Sequence, residues 1–285
     1  DIPGTALHEG MTWGWESFGE YLDTIDGTLA INTAFLVGHS ALRRTVMGER
    51  AVGEQATAED VAAMAALLRQ SLEAGGCGFS TTTSFTHSDH NGDPVPSRWA
   101  TDEEILTLTR VVRDYPGTWI ELLPGSTPEQ PDRRYTLSTA MSLAAERSVN
   151  WNSFVVRSGS PELLESQLEM GRYGAARGAK VIGLVPVVPI MNVINFRSGM
   201  QLELFDGWHD FIHLPHDEKI AAMKDRDYRS KLLANAEASY QQTGLPKDFG
   251  SFKIEHLNSE KNAAWIGHPI RDLAAATGKS DFDAL

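Results

Sequence analysis

The chain has 285 residues, 41% of them hydrophobic and 22% charged, with a net charge of −13. That is the composition of a globular protein with a substantial core. The acidic balance, with no basic cluster, argues against a nucleic-acid or anionic-membrane partner, and no apolar run approaches the ~18 residues of a membrane span.

The single cysteine, Cys77, excludes an internal disulfide and reads as a small buried hydrophobe. The opening "DIPGTALHEG" does not read as a leader peptide; one cysteine leaves the redox compartment open, with the cytoplasm as the default expectation. Both ends read as cut: there is no initiating methionine, and "KSDFDAL" reads as the first turn of a helix that stops.

A strand–loop–helix rhythm runs along the first two thirds. The apolar run Ile31–Val37 predicts strand one. A helix follows over Ala58–Ala74. Thr57 and Asp60 stand at capping-box spacing, Val61, Met64, Leu68 and Leu72 form an apolar stripe, and Gly75 supplies the stop. Strand two is Cys77–Thr81. "TDEE" from Thr101 reads as a full capping box opening the next helix.

Strand three is Thr118–Leu123, with a helix over Leu137–Arg147 after it. Strand four is Val149–Val156. Its helix has Ser160 as N-cap, Pro161 in the first position and Gly178 as stop. Strand five is Lys180–Val187.

The stretch 189–215, with Phe196, Phe205, Trp208 and Phe211, reads as a long lid-like insertion. Two helices then run to about Gln242. "SFKIEHL" is a weak sixth strand and "HPIRDLAAATGK" a last amphipathic helix.

Strands alternating with helices predict a parallel sheet with right-handed crossovers. A doubly wound sheet wants a glycine fingerprint, and "GGCGFSTTTSF" has the wrong spacing, which also argues against a nicotinamide oxidoreductase. A (β/α)8 barrel takes about 250 residues and eight strands. Five clear strands and one weak one make the chain an α/β, barrel-like domain, incomplete within residues 1–285.

In either architecture a site lies at the carboxyl ends of the strands. Those ends carry His39, Ser40 and Arg43, then His87, Asp89, His90, Asp93 and Arg98. Glu121 sits within strand three, Asn152, Ser153 and Arg157 at the end of strand four, and Asn192 and Asn195 after strand five.

Glu121 in an apolar strand needs a partner or a metal. Arg43 and Arg44 have the chemistry to clamp a carboxylate or to solvate a helix start. "HSDH" (87–90) offers zinc-type ligands but also reads as a polar turn. His209, His213 and His216 are spaced i, i+4, i+7, but Pro215 breaks that helix before the third. The three read as a set on a partner-facing or core-facing lid, with metal binding as the alternative.

Several blocks carry a more specific signal: "DIPGTAL", "EGMTWGWESFGEYLD", "VGHSALRRTVMGERA", "ATAEDVAAMAALLRQSLEAGGCGFSTT", "NGDPVPS" and "HLPHDEKIAAMKDRDYRSKLL". In order and spacing they resemble the central part of the D-aminoacylase-like branch of the amidohydrolase superfamily, the N-acyl-D-amino-acid deacylases, over nearly the whole chain.

The resemblance implies a zinc-holding TIM barrel that hydrolyses an amide bond in a small substrate, with an arginine on the substrate carboxylate. It places a His-x-His metal pair and a metal-binding cysteine before this chain, and a catalytic aspartate after it. The two middle strands that carry histidine ligands in the family read here "WIELLPG" and "NWNSFVV", with no histidine. Glu121 stands in for one metal ligand.

The implied substrate-lining residues are His39, Arg43, Ser80, Thr82, Phe85, His87 and Asn152, with Phe85 where the family has a tyrosine. The competing expectation is a non-catalytic relative serving binding or assembly. A homo-oligomer, or the remaining parts of the same polypeptide, are the expected protein partners.

Overall fold

The computed structural model describes residues 4–89, 92–127, 129–156, 160–188, 191–197, 200–243 and 248–285. The chain divides into two compact units, 1–190 and 191–285.

The first unit opens with two helices, α1 (Gly4–Gly10) and α2 (Phe18–Ile25). It then alternates strand and helix: β1 (Val37–Gly38), α3 (His39–Met47), α4 (Ala58–Glu73), β2 (Gly78–Thr82), α5 (Asp102–Val112), β3 (Trp119–Leu123), α6 (Arg133–Ala145), β4 (Val149–Trp151), α7 (Pro161–Ala175) and β5 (Val181–Gly183).

All pairings are parallel and the spatial order is β1-β2-β3-β4-β5. A doubly wound sheet reverses direction at a switch point. Here each crossover lays the next strand beside the last, as in a segment of a barrel wall. The five described strands do not close into a ring.

The register brings one row of residues into line across the sheet: Gly38, Ser80, Glu121, Asn150 and Ile182. Its neighbouring rows, Val37–Phe79–Ile120–Val149–Val181 and Leu122–Trp151, are buried. Because side chains alternate between faces, Val37, Phe79, Ile120, Leu122 and Val149 belong to the face that joins Met64 and Leu68 of α4, Ile105 and Leu108 of α5 and Met141 of α6 in one core, while Trp151 and Val181 pack with Met170 of α7 in a second cluster. Each such side chain contributes about 1.5–3 kcal/mol by leaving water.

Helix α4 forms as its sequence dictates. Thr57 and Asp60 close both halves of the capping box, Met64, Leu68 and Leu72 are buried, and Gly75 leaves the helix at φ +118.

Several expectations are corrected. Strand one is only Val37–Gly38: Ile31 is 75% exposed, and the pairing before Val37 is reduced to one bond, from Cys77 N to Phe35 O. The "SFKIEHL" segment joins no sheet and instead makes a single antiparallel bridge, Lys253 with Pro269. Cys77 is half-buried rather than buried. Strands four and five are also shorter than the apolar runs that announce them.

The second unit contains α8 (Trp208–Ile212), α9 (His216–Lys224), α10 (Arg226–Thr243), α11 (Ile270–Thr277) and α12 (Asp281–Ala284). Its core is aromatic. Trp208 stacks on Phe249 at 6.0 Å and donates from Nε1 to Leu232 O at 2.9 Å, with Phe205 and Phe211 packed beside it. Of the described residues, no helix is long and apolar enough to cross a membrane.

Gly78 opens β2 at φ +148, and a Cβ there would collide with the Trp119 carbonyl of β3. Gly78→Ala should lower the unfolding free energy by about 2–3 kcal/mol, whereas Gly117→Ala, with open space around it, should cost only about 1 kcal/mol for its positive φ. Urea titrations followed by far-UV circular dichroism measure the difference.

Candidate functional site

The corner between β1, β2 and α5 holds three buried polar residues. His39, the first residue of α3, is 1% exposed, Arg43 one turn on is 0%, and Glu104 in the first turn of α5 is 3%. Arg43 Nη1 donates to both Glu104 oxygens at 2.7 Å. Arg43 Nη2 donates to Glu54 O at 2.6 Å.

His39 Nε2 lies 2.9 Å from Glu104 Oε1, and Nδ1 lies 2.9 Å from Thr81 Oγ1. A carboxylate only accepts, so Nε2 carries the proton and Nδ1 accepts from the threonine hydroxyl. Burial holds the His39 pKa below its ordinary value, against the pull of Glu104. The trio is then Arg+, Glu− and neutral His, with no net charge buried. Burial pushes Glu104 up, but the bonds from His39 and Arg43 outweigh it and hold its pKa below the usual carboxylate range.

This corrects the reading of "TDEE". Thr101 Oγ1 accepts from Glu104 N, but the Glu104 side chain turns inward instead of back to the cap.

The second polar group lies on the strand-end face. Ser80, Glu121 and Asn150 sit side by side on adjacent strands. Asn152, just beyond β4, donates from Nδ2 to Glu121 Oε1 at 2.6 Å. Glu121 Oε2 has no partner among the described residues. One carboxylate oxygen is anchored and the other is available on the face where barrels place their chemistry. Asn150 was not singled out by sequence, although the alternation in "VNWN" marks it.

The other lining candidates are spread out. Thr82 is buried and ties β2 to β3 through Leu123 O at 3.3 Å. Phe85 is 44% exposed. His87 is half-buried, which pushes its pKa down, and Arg98 donates to its carbonyl.

Of "HSDH", the described part is an interlocked turn: Asp89 N bonds Asp93 O, Asp93 N bonds Asp89 Oδ1, and Arg44 lies 3.6 Å from the Asp89 carboxylate. His90 and Arg157 lie outside the described residues. Ser153 is exposed, and Asn192 and Asn195 belong to the 191–285 unit. A cleft of about 820 Å³ lined by Trp119, Arg147, Asn150 and Lys180 opens near the amino ends of β3 and β4.

Comparison with known proteins decides the family. The model of the amidohydrolase family matches residues 5–273. The chain belongs to the amidohydrolase family. A D-aminoacylase of Alcaligenes xylosoxydans xylosoxydans is 34% identical over 118 residues, 41% of this chain and 22% of that protein. An uncharacterised protein of Mycobacterium tuberculosis is 36% identical over 117 residues, 38% of this chain and 19% of that protein. A crystal structure of D-aminoacylase, described as defining a novel subset of amidohydrolases, matches with a TM-score of 0.52 at 19% identity, covering 94% of this chain and 44% of that one. The chain thus spans less than half the length of the proteins it resembles, and the amidohydrolase barrel is the fold it shares.

The strand-end residues do not by themselves fit a zinc centre. Structural and catalytic zinc take three or four strong nitrogen, sulfur or carboxylate ligands. Among the described strand residues the polar face offers one carboxylate, Glu121, with the neighbouring Asn152 amide nitrogen bonded to it.

The buried trio makes stability depend on pH. The folded pKa of His39 is below its ordinary 6.5, so the unfolded chain binds more protons between the two values. This contribution is complete above about pH 6.5 and is lost as pH falls, and Glu104 acts in the same direction further into acid. The urea midpoint should decline below about pH 6.5, with a shallower decline in His39→Gln. Glu104→Gln, which leaves Arg43 buried without a counter-charge, should cost about 3 kcal/mol or more at neutral pH.

Proposed function

We propose that the chain is the barrel part of a metal-dependent amidohydrolase that cleaves the C–N amide bond of a small substrate, such as an N-acyl-D-amino acid, in the cytoplasm. The observation that carries this reading is Glu121. It is a carboxylate on the polar face of β3, held through one oxygen by Asn152 and free at the other.

By the resemblance drawn from the sequence, the matching segments of the deacylases would hold metal ligands. The proposal gives Glu121 one coordination position, with the remaining ligands drawn from residues outside the described strand ends. Ser80, Asn150 and Asn152 line the same face as neutral hydrogen-bonding groups for a polar acyl amide. The support from relatives is the partial likeness to a D-aminoacylase.

His39 and Arg43 serve this reading as positioning residues. Their side chains are enclosed and bonded to Glu104, so they set the place of β1 and β2. Phe85, exposed, remains available to a substrate.

The absence of a histidine from both middle strands favours a second reading, a family member that binds a small acyl amide without cleaving it.

The test uses the complete protein that contains this chain, assayed against N-acetyl-D- and N-acetyl-L-amino acids. Glu121→Gln should lower kcat/KM for the D-series about 100-fold with the thermal midpoint unchanged. Hydrolysis at the wild-type rate in Glu121→Gln would remove that residue from the site. Saturable binding of N-acyl amino acids with no turnover would establish the second reading.

A further inference from the structure

In the 191–285 unit, α8 buries Trp208, Phe211 and Ile212 at 1–2% exposure. His209 in α8 and His213, its C-cap residue, are four apart, the spacing that places two imidazoles on one side of a helix. Their ring centroids are 4.4 Å apart.

Glu203, in the 3-10 turn Met200–Leu204, sets one carboxylate oxygen against each ring. Oε2 is 3.6 Å from His209 Nδ1, and Oε1 is 3.5 Å from His213 Nε2. The three ligand atoms all lie within 4.8 Å of one another.

Those separations are longer than the about 2.7–3.2 Å of N–H···O hydrogen bonds. They match a shared ion: two ligands each about 2.1 Å from a tetrahedral zinc stand about 3.4 Å apart. Two histidines and one glutamate also form a zinc donor set that leaves one position for water.

The frame that holds the three residues is fixed without them. Leu202, Phe205 and Trp208 are buried, Phe205 N bonds Leu202 O, and Trp208 N bonds Phe205 O. Gly207 at φ +72 supplies the turn into α8. A carboxylate 15% exposed, facing two imidazoles 44% and 37% exposed, is open enough for an ion to enter and sheltered enough to hold it.

We propose that Glu203, His209 and His213 form a divalent transition-metal site of the zinc type that ties the Met200–Leu204 turn to α8. This site goes beyond the hydrolytic reading and does not depend on it.

The test uses the 285-residue chain, stripped with chelator and titrated with Zn²⁺ or Co²⁺ alone, as wild type, His209→Ala, His213→Ala, Glu203→Gln and Glu121→Gln. Wild type and Glu121→Gln should each retain an equivalent of zinc that the other three variants lose. Zinc should raise the thermal midpoint by a few degrees only in proteins that retain that equivalent. Co²⁺ should give a visible spectrum of low coordination number in the same proteins.

The proposal is overturned if wild type binds no zinc, or if the only equivalent is lost in Glu121→Gln. It is also overturned if the three variants keep wild-type stoichiometry. All three substitutions fall on partly exposed side chains, so folding of the variants is checked by their metal-free thermal midpoints matching wild type.

Discussion

The first unit depends on one buried carboxylate. Glu104 accepts from Arg43 with both oxygens and from His39 with one. In doing so it joins the first turns of α3 and α5, while the far side of the His39 ring reaches Thr81 in β2. Two of these partners come from the loop–helix junction after β1, which is itself only two residues long. A strand that short contributes little through its own ladder. Its place at the edge of the sheet is fixed by the side chains that leave its end. The neutral state of His39 keeps the cluster free of net charge, the condition under which such a group is tolerated in a core.

From that corner the sheet runs in a single direction. The parallel register turns one file of side chains toward the core and the next toward the strand-end face. The buried files are almost wholly apolar, and the other file holds Ser80, Glu121 and Asn150 in line. A carboxylate can sit in the middle of a strand because its face is polar and because Asn152 closes over one oxygen. The same alternation that builds the core therefore builds the candidate site.

Legibility in the sequence followed the range of the interactions. Helix α4 was legible because its cap, stripe and stop lie within twenty residues of one another. The sheet class was legible from the strand–helix rhythm, and the family from ordered blocks of residues. Strand one was not, because its pairing depends on neighbours far away in sequence. Glu104 was misread for the same reason: "TDEE" satisfies the local rule of a capping box, and the stronger partners, His39 and Arg43, are more than sixty residues upstream. Glu121 was picked out because a charge in an apolar run is conspicuous, but its partner Asn152 had to be placed by the fold. In the second unit the His209–His213 pair was visible as a helical spacing, although α8 already ends at Ile212, and Pro215 caps the start of α9 at His216. Glu203 escaped notice because it sits in a 3-10 turn outside the helical period.

The strand lengths have a further consequence. β2 and β3, the longest at five residues, are interior, while the flanking β1 and β5 have two and three. Exposed edges recruit other chains by offering a row of unpaired amides and carbonyls. Among the described strands the sheet tapers toward both sides, and its two short edges, β1 and β5, are where a barrel wall would continue. The long hydrogen-bonding ladders are spent internally, and the sequence segments most prone to cross-chain pairing are those already enclosed by neighbours on both sides.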